Sequence, residues 1–301
     1  MDPSSFLALI VAWFIVPSAT GHPPDYLQQN TSPPAEESTD INDVIETGPT
    51  TEPSLLFDPS AGFHDEVIAD SLKEGDYGQE NPNLFQGDIL SDFPSAKTAV
   101  RVFNLWPLGI VPYSMQLSLY PMREQISAAM REIEQKTCIK FRPRLLSRDY
   151  VSMGSGSGCY SVIGRSGGSQ ILSLGRGCSA HTTIVHELMH AIGFEHMHSH
   201  RDRDVFLKIR WENIPADKWR QFEVVSLLGY KTLVPFDFES VMLYGPKTFG
   251  QQGRTSMESK IKGKRVLEMA EKSGLSKGDV DGINRLYMCR RNGAGELINL
   301  T

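Results

Sequence analysis

Beyond residue 16 the 301-residue sequence has no apolar run long enough to cross a bilayer, so no stable membrane anchor is expected. The one unbroken apolar stretch, Phe6 to Val16, is too short to span but suits the core of a signal peptide. No Lys or Arg precedes it, yet Ala19-Thr20-Gly21 offers a cleavage site, and a signal peptide over 1–21 is the expectation. Cysteine is scarce. The four present, Cys138, Cys159, Cys178 and Cys289, include no two spaced as in a zinc ribbon, which excludes that kind of structural metal site. An even number in an exported chain favours two disulfides, and three pairings stay open. There is no internal repeat. Asn30-Thr31-Ser32 and Asn299-Leu300-Thr301 are glycosylation acceptor patterns.

Basic residues are nearly missing from one part of the chain. Residues 22–97 hold sixteen Asp/Glu against Lys73 and Lys97, a balance of −14, while residues 98–301 carry +9. Parts of opposite sign attract, which suits an intramolecular cover over a basic body. The acidic part begins Pro- and Ser/Thr-rich, poor in aromatics, and cannot bury enough surface to order itself. Only Leu84-Phe85-Gln86-Gly87-Asp88-Ile89-Leu90 gathers apolar residues around a Gly, as a docking peptide does.

From Ala99 the text is that of a folded domain. Ile110 to Tyr113 reads as a strand, and Pro121 as the opening of a helix with Ile126, Met130 and Ile133 on one face. Ile139 and Phe141 alternate as a strand. Past a Gly-rich loop, Tyr160 to Val162 and Gln170 to Leu174 read as two short strands joined by a Gly-Gly turn. A helix is expected from about Thr182, and Ser276 with Asp279 marks another helix start running toward Tyr287 and Cys289.

The segment His186-Glu187-Leu188-Met189-His190-Ala191-Ile192-Gly193-Phe194-Glu195-His196 carries the chemistry. Two His at i and i+4 share a helix face and can reach one ion. Gly193 can take the left-handed conformation that ends the helix and turns the chain back, presenting His196 as a third nitrogen. Three nitrogens leave a fourth zinc position open, the mark of a catalytic rather than a structural site, and Glu187 is placed as general base. An HExxH alone occurs by chance in buried helices; the extension to HExxHxxGxxH fixes two further positions and makes a chance match far rarer. Six of the eight His fall between residues 181 and 200. His198 and His200 are expected on the cleft wall, and His181, which precedes the helix, either in a structural role or behind the metal ligands as a support.

These residues resemble the astacin family of metzincin endopeptidases. The likeness covers roughly residues 98–289. It includes Asp202-Arg203-Asp204 after the third His, Ser240-Val241-Met242-Leu243-Tyr244 as the Met-turn, Trp106 with Val111-Pro112-Tyr113 at the start and Leu275-Ser276 to Cys289 at the end. The resemblance implies an α+β, metzincin-like fold: an N-terminal subdomain with a twisted mixed sheet and an active-site helix, and a C-terminal subdomain mostly irregular with a terminal helix. It implies one Zn(2+) per chain, Met242 beneath the site, Tyr244 as a ligand that swings away to stabilise the transition state, and disulfides Cys138–Cys289 and Cys159–Cys178. Phe85-Gln86-Gly87-Asp88 is similar to the family's inhibitory motif, so Asp88 is expected to bind zinc in an acidic pro-segment, 22–97, ahead of a catalytic domain, 98–301. Three positions depart from the pattern: Met197 in place of Glu, Leu243 in place of His, and His200 where Arg is usual.

The function so implied is a secreted zinc-dependent endopeptidase, made latent, that cleaves internal bonds of protein or peptide substrates lying extended along an edge strand. An activating protease cutting near Lys97 or Arg101, a monomer and no nucleic-acid partner complete the expectation. The rival is a secreted zinc-binding protein of the same fold without useful catalysis, to which Met197 and Leu243 point; chelator-sensitive cleavage of a protein separates the two.

Overall fold

A computed structural model of the chain describes residues 81, 84–90, 105–224 and 233–299. The expected signal peptide, most of the acidic segment, Lys97, Arg101 and the acceptor site at Asn30 lie outside the described residues.

Five strands form a mixed sheet: β1 (Ile110–Met115), β2 (Lys140–Pro143), β3 (Tyr150–Gly154), β4 (Cys159–Ser161) and β5 (Ser169–Leu174), in the order β2-β1-β3-β5-β4. The first four in that order run parallel, and β4 closes the edge antiparallel to β5. Helix α1 (Arg123–Lys136) buries Ile126, Ala129, Met130 and Ile133, a stripe at i, i+3, i+4 and i+7. Truncating a wholly buried side chain such as Ile133 to Ala costs about 2–5 kcal/mol. Pro121 does not open α1. It sits in the 3-10 turn Leu117–Met122 just ahead, where its missing N–H breaks no ladder.

Helix α2 (His181–Ala191) is buried on every face from Thr182 to Ala191, so it lies inside the domain with α1 packed along it. Beyond Ile209 the described chain is mostly 3-10 turns and loops, with the short pair β6 (Leu207–Ile209) and β7 (Met257–Ser259). Helix α3 (Lys277–Leu286) starts at a capping box in which Ser276 and Asp279 satisfy each other's backbone N–H. Disulfides join Cys138 to Cys289, tying the end of α1 to the end of α3, and Cys159 to Cys178, tying β4 to the approach to α2. This is the α+β arrangement with a mixed sheet, a buried helix and a terminal helix. No described helix is long and apolar enough to cross a membrane.

Candidate metal centre

His186 and His190 stand one turn apart on α2, and the helix ends two residues before Gly193, whose φ of +109° is one that Cβ-bearing residues rarely adopt. Gly193 N–H donates to His190 O and Phe194 N–H to Met189 O, closing the helix and sending the chain back. His196 thereby returns to the same point: its Nε2 and that of His190 each lie 3.1 Å from His186 Nε2.

The other ring nitrogens define the protonation. His186 Nδ1 lies 2.7 Å from Val241 O, and His190 Nδ1 2.7 Å from Phe194 O. A backbone carbonyl only accepts, so both Nδ1 atoms carry the proton and both Nε2 atoms present lone pairs. His196 Nδ1 likewise lies 2.8 Å from Gln86 Oε1. Burial lowers the basicity of His186 and His196 further, so neutral rings are favoured. Three lone pairs directed at one point repel unless a cation lies between them. Nitrogens about 2.0–2.1 Å from a tetrahedral zinc stand roughly 3.3 Å apart, close to the spacing found.

Asp88 completes the set. Its Oδ2 is 2.9 Å from His186 Nε2, and its Oδ1 is 3.3 Å from His190 Nε2 and 3.1 Å from His196 Nε2. Burial by itself raises the Asp88 carboxyl, but the facing His196 and His190 rings outweigh it and hold the group well below the usual carboxylate range. A carboxylate buried against three imidazole Nε2 atoms whose rings already place a proton on Nδ1 requires a cation for balance. Among the described residues this is the one cluster of His, Cys, Asp or Glu able to hold a metal ion, with all its donor atoms within 4.8 Å of one another. The residues therefore fit zinc.

Glu187 is wholly buried beside this cluster, and neither carboxylate oxygen has a hydrogen-bond partner. Burial first, and the Asp88 charge second, push its carboxyl well above the usual range. Tyr244 is also buried, its ring 4.3 Å from that of His196 and 5.0 Å from that of His198, and its hydroxyl donates to Gln86 O at 2.6 Å. Met242 is buried, and its carbonyl accepts from Met197 N–H at 2.8 Å. Met197 itself joins the apolar core, so it offers no charge for pairing. His198 is fully buried behind Tyr244 rather than open to the cleft, with Nε2 3.1 Å from Gln221 O. His200 reaches Val234 O, and His181 pairs with Glu132.

Sequence reasoning missed the supports. Asp279, read only as a helix cap, also accepts from Ser240 Oγ at 2.6 Å and from Val241 N–H at 2.9 Å, and so fixes the Met-turn whose Val241 carbonyl orients His186. Lys272 donates to Leu243 O. Gln86, an arbitrary position in its motif, touches His196, Tyr244 and Gln221.

Three converging imidazoles on an HExxHxxGxxH helix and turn, with a carboxyl beside them, define a zinc hydrolase centre in an α+β domain. Residues 99–288 match the family model Astacin (Peptidase family M12A). The chain is 40% identical over 214 residues to astacin-like metalloprotease toxin 1 of Loxosceles intermedia, covering 68% of this chain and 81% of that protein. It is 36% identical over 304 residues to the astacin-like metalloendopeptidase of Gallus gallus, covering 95% of this chain and 69% of that one. Among solved structures, high choriolytic enzyme 1, a hatching enzyme zinc-protease from Oryzias latipes, superposes with a TM-score of 0.54 at 34% identity, over 67% of this chain and 99% of that one. The chain belongs to the astacin family and is a zinc-dependent metalloendopeptidase.

Proposed function

We propose that this protein is a secreted endopeptidase made as a latent precursor, with a signal peptide over 1–21, a pro-segment over 22–97 and the catalytic domain over 98–301. His186, His190 and His196 hold the zinc, and Asp88 occupies the coordination position that the reaction needs. The carrying observation is the burial of Asp88 against all three imidazoles while the adjoining Gln86 engages Tyr244. Export is supported by the apolar run Phe6 to Val16 and by the two disulfides, which persist in oxidising compartments.

When bound, zinc supplies Lewis-acid polarisation of the scissile carbonyl and lowers the pKa of water to about 7. Glu187 takes the proton of the attacking water and passes it to the leaving amine nitrogen. Release of segment 84–90 frees the Tyr244 hydroxyl from Gln86 O to donate to the oxyanion. The edge strand β4, whose Ser161 pairs with Asp88 and Leu90 in this structure, then receives the main chain of an extended substrate.

Glu187→Gln keeps the size of the side chain and removes the base. One zinc per chain with turnover lowered by roughly two to four orders of magnitude is expected, measured with a quenched peptide after tryptic activation. A variant with near wild-type turnover would remove Glu187 from the mechanism.

A further inference from the structure

Gln221 is the last residue but one of the 3-10 segment Ala216–Phe222, and the backbone there is held at two neighbouring carbonyls: His198 Nε2 lies 3.1 Å from that of Gln221, and Arg203 donates to that of Phe222 at 2.6 Å. Phe222 is buried against the rings of His198 and Trp211, so the backbone around Gln221 is held by the domain itself. Its carboxamide, however, makes both its hydrogen bonds to segment 84–90. Oε1 accepts from Gln86 N–H at 2.5 Å, and Nε2 donates to Leu84 O at 3.2 Å. Both partners are main-chain groups, so the contact reads a peptide backbone and not a side chain. On the other flank of the same segment, Ser161 of β4 donates its N–H to Asp88 O and accepts from Leu90 N–H, each at 2.9 Å. The peptide is thus held between an edge strand and one carboxamide. The Gln86 peptide also places Gln221 beside the chemistry, since Gln86 N–H goes to Gln221 while Gln86 O receives the Tyr244 hydroxyl.

We infer that Gln221 is a substrate-binding residue of the working enzyme, its carboxamide taking one main-chain carbonyl and one main-chain N–H of an extended peptide next to the scissile bond, on the wall facing β4. This rests on the reading that segment 84–90 leaves on activation. Recognition by main-chain groups gives affinity and register independent of substrate sequence, and it adds to the edge-strand contacts a fixed point close to the reacting carbonyl.

The test uses the full chain, before and after limited trypsin treatment, and a set of peptide substrates in which one amide at a time is replaced by an ester. An ester removes one N–H donor and leaves the rest of the peptide in place. Besides the losses from esters that face β4, wild-type enzyme should lose about tenfold in kcat/KM at one further position within two residues of the scissile bond, the scale of one hydrogen bond left unmade. Gln221→Leu should lose about tenfold on the all-amide peptide and nothing further from that ester, while esters that face β4 cost both enzymes equally. Gln221→Glu, which keeps the acceptor, should retain sensitivity to the ester and serves if the Leu variant folds poorly. A Gln221→Leu enzyme with wild-type kcat/KM after trypsin, or equal ester penalties at every position, overturns the inference and shows that Gln221 grips segment 84–90 alone. If wild-type activity is the same before and after trypsin, the latency reading fails instead, and the ester comparison on the untreated chain still decides Gln221.

Discussion

The metal site has two kinds of support. On one side, His186 and His190 lie on a buried helix and their Nδ1 protons go to the carbonyls of Val241 and Phe194. Val241 is held in turn by Asp279, at the start of α3. On the other side, the Nδ1 of His196, the hydroxyl of Tyr244 and the carboxamide of Gln221 all bond to segment 84–90. The first group orients two ligands whatever fills the cleft. The second depends on a peptide that the proposed activation removes, so the groups it holds are those the reaction needs free. Latency on this view takes more than one carboxylate, because the same short segment also holds the tyrosine and a cleft residue in place.

Breaking the lent side at its charged point should give the largest change. Asp88→Asn leaves the shape of the segment but takes away the anion facing the three imidazoles. Activity of the untreated full chain should rise on the order of a hundredfold, the scale of one lost charge-assisted contact, while activity after trypsin stays at the wild-type level. Unchanged activity of the untreated chain would mean that the segment inhibits by bulk alone.

Breaking the internal side should act on the metal instead. Asp279→Asn puts an amide donor where Ser240 Oγ–H, Val241 N–H and Ser276 N–H already donate. The Met-turn should shift and misdirect the Val241 carbonyl. Zinc affinity, measured by competition with a chelator, should fall roughly 10- to 100-fold, as is usual when the partner behind a ligand is lost. The fall should be the same with segment 84–90 present or removed; a loss confined to one form would dissolve the distinction between the two supports.

The contrast also separates what the sequence made legible from what it did not. His186, Glu187, His190, Gly193 and His196 lie within eleven residues, where helical period and the freedom of Gly determine geometry, so their placement follows from spacing. The capping box at Ser276 and Asp279 is equally local, and it is present. Its second task is not local: Asp279 meets Val241 across 38 positions, and Gln86 meets Gln221 across 135. No period encodes such contacts. Strand β3 escaped for another reason, since Tyr150–Gly154 sits mid-sheet with Val151, Ser152 and Met153 all buried and shows no alternation. Asp88 was reached only through the motif around it, because one acid among sixteen in an acidic stretch carries no signal of its own.

The smallest effect concerns the frame beneath the internal side. Glu132 on α1 accepts from Leu275 N–H at 3.0 Å and pairs with Lys136 and His181, so one carboxylate ties α1, the first residue of α2 and the approach to α3. Burial raises its carboxyl, but the Lys136 and His181 contacts outweigh that and leave it below the ordinary value. A carboxyl depressed in the folded state stabilises it above the unfolded pKa, and that contribution is lost as pH falls through the folded value. Glu132→Gln should therefore cost about 1 kcal/mol at neutral pH, the scale of a half-open charged hydrogen bond, with the difference from wild type shrinking as pH drops below about 4.5. Thermal midpoints at pH 7 and pH 3.5 measure both points. Because neither Asp88 nor Gln86 touches this network, the shift should be the same before and after removal of segment 84–90, and a dependence on the segment would show that the frame and the lent side are coupled.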